Sequence, residues 1–198
     1  MIKTTGLLIS ELPGYVNPKA KIGRMVAEGK LYPIIRGIYE EDPNTPPQYL
    51  AGAIYGPSYI SFEYALAYYK LIPQKTAEIT CAAYGKRKEK RYETDFGLFT
   101  YRDIPSKVFH EELILNMENG YSFLMASPEK AFCDELYKSA PAANLKELKA
   151  LMFDEICIGK RKINRLDPVV MNRIADLYGC RNLHLLKSFL RKKYGKFD

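Results

Sequence analysis

The chain has 198 residues, 47% of them hydrophobic and 27% charged, enough to bury a sizeable core in one domain or two small ones. No apolar run approaches the roughly 20 residues that a membrane-crossing helix needs, and Met1-Ile2-Lys3-Thr4-Thr5 does not open a signal peptide, so a soluble cytoplasmic protein with no membrane partner is expected. The net charge of +7 is uneven: residues 1–42 carry six Lys/Arg against five Asp/Glu, residues 43–137 ten against twelve, and residues 138–198 fourteen against six. The basic excess therefore sits in the last third, where a footprint for phosphate or for an acidic protein is to be sought.

Thr4 to Leu12 predicts one short helix, broken by Pro13-Gly14. Asn17 then suits a cap and Pro18 the first helical position, and Ile22, Met25 and Val26 recur at helical spacing. Gly29 fits the left-handed position beyond a last turn, and the β-type runs Leu31 to Ile35 and Ile38 to Tyr39 flank Arg36-Gly37 as a hairpin that lifts Arg36 clear of the core. Two helices and a hairpin make a reduced winged helix over residues 1–42, one helix short of the usual three. In that arrangement Lys19, Lys21, Arg24, Lys30 and Arg36 are the candidates for DNA phosphates and grooves.

Asp42-Pro43-Asn44-Thr45-Pro46-Pro47 reads as a linker. Beyond it a helix is predicted over Gln48–Tyr55, and a second from Ser58 or Ser61 through Leu71, with serine as its cap. The period then changes to β over Glu78 to Tyr84, Arg91 to Thr94, Gly97 to Asp103, and a strand or two between Phe109 and Met125, with a tight turn at Asn119-Gly120. An antiparallel sheet is expected, with Gly85-Lys86-Arg87-Lys88 as a solvated hairpin tip. Ser127-Pro128-Glu129-Lys130 opens a helix running to about Ser139, with Glu129 serving its start. Asn144 to Phe153, a helix capped by Asp167, and Arg181 to Tyr194 follow as a C-terminal helical bundle. The basic segment Arg181 to Lys196 offers Lys187, Arg191 and Lys192 for a partner or phosphate. The fold class is thus α+β, divided as 1–42, 43–140 and 141–198.

The sequence argues for a binding protein over an enzyme. It contains no H-E-x-x-H, G-x-S-x-G, phosphate-binding glycine loop or dinucleotide fingerprint, and no cofactor or catalytic set is expected. Cys81, Cys133, Cys157 and Cys180 are far apart, with only His110 and His184 to join them; this suggests neither metal nor disulfide, and reduced, buried thiols are expected. Stacking of single-stranded nucleic acid on Tyr64, Tyr68 and Tyr69 or on Tyr84 is weighed against the ordinary half-buried tyrosine, which is favoured. An RNA-acting enzyme built on Tyr84 to Arg91 and His110 is the third-ranked class.

Three stretches carry a family resemblance: G-K-L-Y-P-I-I-R-G-I-Y of Gly29–Tyr39, G-P-S-Y-I-S-F-E-Y-A-L of Gly56–Leu66, and S-P-E-K-A-F-C-D-E-L-Y of Ser127–Tyr137. Together they resemble AbiEi-type antitoxins of type IV toxin–antitoxin (abortive infection) systems. The resemblance covers roughly residues 15–140. It implies a winged-helix transcriptional regulator that binds operator DNA through Lys21, Arg24 and Arg36, and an antitoxin domain that counteracts a nucleotidyltransferase-like toxin encoded nearby. A homodimer is among the assemblies considered. The runner-up is a protein-interaction module without DNA binding, in which the reduced winged helix is an interface.

Overall fold

The computed structural model describes residues 1–73 and 76–195, so the expected Lys196 lies outside the described residues. The chain opens with β1 (Lys3–Thr4), α1 (Thr5–Ser10) and α2 (Pro18–Ala27), and a hairpin of β2 (Tyr32–Ile35) and β3 (Ile38–Glu40) follows. The three strands form an antiparallel sheet in the order β1-β3-β2. Local chemistry sets the boundaries: Asn17 accepts from the Ala20 amide, Pro18 takes the first turn, and Gly29 has a φ of +67°. At only two residues, β1 is too short to show a strand period.

A six-stranded sheet follows, from β4 (Ser58–Ile60), β5 (Glu78–Ala83), β6 (Lys90–Thr94), β7 (Gly97–Asp103), β8 (Leu113–Glu118) and β9 (Tyr121–Ala126), in the order β6-β7-β5-β4-β9-β8. It is mixed, not antiparallel as the hairpin reading expects, because β5 runs parallel to β7 and β4 parallel to β9. β7 lies between β5 and β6, so residues 84–89 form a crossover rather than a hairpin tip. Asp103 at the end of β7 holds that crossover by accepting from the Lys86 and Arg87 amides at 3.0 and 3.2 Å. The reason is burial. Ile79 to Ala83 are buried without alternation, the mark of a strand covered on both faces, whereas β6 alternates like an edge.

Between the sheets, the helix expected over Gln48–Tyr55 is a 3₁₀ turn, Pro47–Tyr49, followed by α3 (Ala51–Ile54). The helix expected from Ser58 yields its first residues to β4, with α4 (Phe62–Tyr68) behind it. β4 pairs on both sides and buries Tyr59 and Ile60 on opposite faces. By register, Ile60, Cys81, Tyr101, Phe123 and Met125 share one face. The Tyr49–Ala51 segment covers that face: Tyr49 lies 5.6 Å from the Phe123 ring, and the Tyr101 hydroxyl donates to the Ala51 carbonyl at 2.7 Å. The opposite face, with Tyr59, Thr80 and Arg102, meets α4 and α5 (Pro128–Lys138). Then come α6 (Leu145–Ala150), a π-helical turn at Leu151–Glu155, α7 (Pro168–Tyr178) and α8 (Arg181–Tyr194), all packed against one core that runs from Ile34 to Leu190. Asn182 of α8 fastens the end of α5, donating to the Leu136 and Ala140 carbonyls and accepting from the Ala142 amide.

Among the described residues, an ion pair with both partners fully buried lies in the interior. Asp134 and Lys130, four apart on α5 and fully buried, pair at 2.7 Å. Asp134 also accepts from the hydroxyls of Tyr59 (2.9 Å), Ser61 (2.7 Å) and Tyr178 (2.7 Å), and the Lys130 ammonium donates to the Tyr178 oxygen at 2.7 Å. Burial, reinforced by the Asp134 charge, pushes both tyrosine hydroxyls well above their ordinary pKa, so they remain donors. Removing one ion strands the other in the core. Asp134→Ala should therefore cost about 3–5 kcal/mol in urea unfolding, whereas Lys130→Met combined with Asp134→Leu should recover only the share due to the stranded ammonium, because the Tyr59, Ser61 and Tyr178 hydroxyls still lack their acceptor.

Candidate nucleic-acid interface

The N-terminal unit is built around a small cluster of Leu8, Ile22 and Leu31, with Met25, Val26 and Tyr39 against it. Ile34 turns the other way, into the main core. The outward side of α2 shows Lys19, Ala20, Gly23, Arg24 and Ala27. Lys21 is half-buried, its ammonium 5.5 Å above the Tyr15 ring. Arg36 is exposed in the two-residue turn of the hairpin, beside Gly37 at φ +86°. That turn does not project freely, because the Thr5 amide donates to the Gly37 carbonyl at 2.9 Å and ties it to the start of α1. Lys30 departs from the expected free cation: its ammonium is 2.7 Å from Glu28, which pulls its pKa up and that of Glu28 down. Among the described residues, Lys19, Lys21, Arg24 and Arg36 have no acid within ion-pair distance.

The unit is seated on the larger sheet through Glu40. Its fully buried carboxylate accepts from the Glu41 amide (2.8 Å) and the Tyr121 hydroxyl (2.9 Å), and the Tyr121 ring stacks on Tyr49 at 4.9 Å. Nothing in the sequence marks Glu40 as the buried one among the five acids of its segment.

The two later motif stretches meet in space at the Asp134 cluster, through Tyr59 and Ser61 of one and Lys130 and Asp134 of the other. Ser61 is not the cap its position suggests. Its hydroxyl is spent on Asp134, and the Tyr64 amide donates instead to Thr80 Oγ1 at 3.0 Å. Glu129 likewise reaches beyond its own helix, accepting from the Asp167 amide at 2.9 Å at the start of α7.

Beside this cluster, Arg102 makes a two-pronged contact with Glu63, both prongs at 2.9 Å, and lies 3.8 Å from Glu135. Glu63, Glu135, Ser139 and Glu155 line a cleft of about 300 Å³. Glu135 Oε2 is buried without a hydrogen-bond partner, and burial together with the Glu63 charge pushes the acid up to about 8 against the pull of Arg102.

Of the C-terminal cations, Lys187 departs from expectation. Its stem is packed, leaving the side chain 16% exposed, and its ammonium pairs with Asp176. Arg191 and Lys192 are exposed, and Lys192 lines a groove between α6 and α8. At the third candidate region, the His110 and Tyr84 rings lie 6.1 Å apart with Phe109 against both. Burial raises the Cys81 and Cys133 thiols; Cys157 and Cys180 are half-buried, so the expected burial holds for two of the four. No His/Cys/Asp/Glu group among the described residues could hold a metal ion, and no described helix is long and apolar enough to cross a membrane.

No protein-family model and no curated protein matches the chain. Among solved structures, it is similar to the crystal structure of the Rv2827c protein from Mycobacterium tuberculosis, with a TM-score of 0.50 and 14% identity over 100% of this chain and 78% of that one. At that identity the likeness concerns the fold, an α+β architecture with a mixed sheet and several helices.

The raised acid of Glu135 gives the stability a pH signature. Its folded value of about 8 lies above the ordinary 4.5, so the folded state holds an extra proton between the two. Its contribution is present at low pH and is lost as pH rises toward 8. Unfolding free energies measured across pH 4.5 to 9 should fall less steeply in Glu135→Gln than in the unmodified chain, with the difference concentrated below about pH 8.

Proposed function

We propose that the chain is a non-enzymatic regulator, a reduced winged helix joined to an antitoxin domain of the type IV (abortive infection) kind. It binds operator DNA through its N-terminal unit and counteracts a nucleotidyltransferase-like toxin through the remainder. The observation that carries the DNA half is the set of exposed cations on α2 and the β2–β3 turn, Lys19, Arg24 and Arg36, with no acid paired to them among the described residues. The outward Ala20, Gly23 and Ala27 let the helix backbone come close to a phosphate chain. The antitoxin half rests on the motif resemblance, supported by the way Ser61 and Asp134, from two separate motif stretches, meet in the core.

A second reading is favoured by Leu7, Tyr15 and Val16, exposed on α1 and the loop after it. They suit a protein interface in which the unit binds no DNA. Co-purification of a nucleotidyltransferase-like protein without any DNA binding would select this alternative.

Mobility shifts on the DNA upstream of the chain's own gene test the proposal. Arg24→Ala and Arg36→Ala should each weaken binding and reduce the log–log salt slope by about one unit. Absence of binding at low salt, or binding indifferent to both substitutions and to salt, would overturn the operator reading.

A further inference from the structure

Two cavities of about 450 and 540 Å³ adjoin in one groove between α8 and the run formed by α6 and its π-helical turn. Its walls come from positions three to four residues apart: Leu145, Lys149 and Phe153 on one side, Phe189, Lys192 and Lys193 on the other. Each wall is thus a single helix face, and two such faces side by side leave a trough into which a third helix packs. Five lysines line it, Lys146, Lys149, Lys160, Lys192 and Lys193, against a single acid, Asp154. Among the described residues none of the five is within ion-pair distance of a carboxylate; Lys193 is bonded to the neutral amide of Asn164. Three of the ammoniums rest on aromatic rings: Lys149 at 6.0 Å and Lys193 at 5.7 Å from Phe189, and Lys160 at 5.9 Å from Phe153.

We infer that this groove is the docking site for an acidic amphipathic helix of a protein partner. The apolar floor takes the partner's aliphatic side chains, and the lysines take the carboxylates that flank them. Nucleic acid would supply the charge but not the filling. Single strands gain their non-electrostatic affinity by stacking bases on open aromatic faces, whereas Phe189 is buried and overlaid by two ammoniums, and Phe153 by a third. The lysine stems provide further apolar wall. The inference gives the partner half of the proposed function a surface and a chemistry, and it stands apart from the DNA half.

The test uses the full chain and a fluorescein-labelled peptide of about 18 residues, long enough for five helical turns, with leucines at three- and four-residue spacing and glutamates elsewhere. Two comparison probes are the same peptide with every leucine replaced by serine, and an oligothymidylate of equal charge. Anisotropy should show saturable binding of the leucine peptide, weakened about tenfold or more by Lys149→Glu with Lys193→Glu. Lys138→Glu, outside the groove, should leave it unchanged. The serine peptide should bind about tenfold more weakly, by the loss of apolar burial. Because the substituted lysines are exposed, circular dichroism should report an unaltered fold. Equal binding of the serine peptide or of the oligothymidylate, insensitivity to the lysine reversals, or no binding of the leucine peptide at low salt would overturn the inference. None of these outcomes bears on operator binding, which involves α2 and the β2–β3 turn.

Discussion

A carboxylate taken into a protein interior has to find enough donors to replace the water it gives up, and this requirement organises the fold around Asp134. Its two oxygens receive four donors, from Tyr59 on β4, Ser61 at the β4–α4 junction, Lys130 one turn earlier on α5, and Tyr178 at the end of α7. The lysine cannot exist there without the aspartate, and the aspartate is half-satisfied without the hydroxyls. A single side chain thereby fixes the central strand, the helix behind it and the C-terminal helices at once. The consequence reaches the backbone of α4. With Ser61 committed to Asp134, Thr80 from the neighbouring strand does the capping, donating to the Ser61 carbonyl while accepting from the Tyr64 amide. Phe62 is held between these contacts at a φ of +55°, a left-handed conformation that costs a phenylalanine about 1–3 kcal/mol. The enclosing bonds offset that cost.

Glu40 has an analogous place at the other end of the chain. It is as fully buried as Asp134, and its donors are the N-terminal ammonium of Met1, the backbone amides that follow it and the Tyr121 hydroxyl. The β2–β3 hairpin therefore ends in a turn that its own last residue organises, and Tyr121 carries that turn onto the larger sheet. The arrangement bears on the candidate interface: α2 packs on one side of the small sheet through Ile22, while Ile34 and Glu40 anchor the unit to the rest. The face bearing Lys19 and Arg24 is what remains free.

Features encoded by neighbouring residues are legible in the sequence. Asn17-Pro18, Ser127-Pro128 and Asp167-Pro168 each start a helix where they predict one, because a cap needs only the next three residues. Asn119 and Gly120 both take positive φ, as a two-residue hairpin turn demands. What is not legible depends on residues far apart. β4 is three residues long and is made a strand by β5 and β9 on either side of it, neither of which is adjacent in sequence. The mixed order follows from which strands are buried on both faces, a property of the assembled sheet. Ser61 looks like a cap because serine usually is one; the acid that claims its hydroxyl lies 73 residues away. Lys187 and Lys193 share one helix and one chemistry, and only the position of Asp176 separates the neutralised cation from the available one.

The candidate surfaces differ in the kind of cation they use, and this difference carries meaning. Arg24 and Arg36 are exposed guanidiniums on a convex helix and a tight turn, planar forks suited to paired phosphate oxygens. The cations of the α6–α8 groove are lysines, and the ammoniums of Lys149, Lys160 and Lys193 rest on phenylalanine rings. An ammonium on a ring is weakly held, worth about 0.5–1 kcal/mol at an exposed site. The ammonium can turn to an arriving carboxylate while its stem stays along the apolar wall, so a groove of this design selects for a partner that brings charge and aliphatic side chains together, and a uniformly charged polyanion gains only half of what it offers.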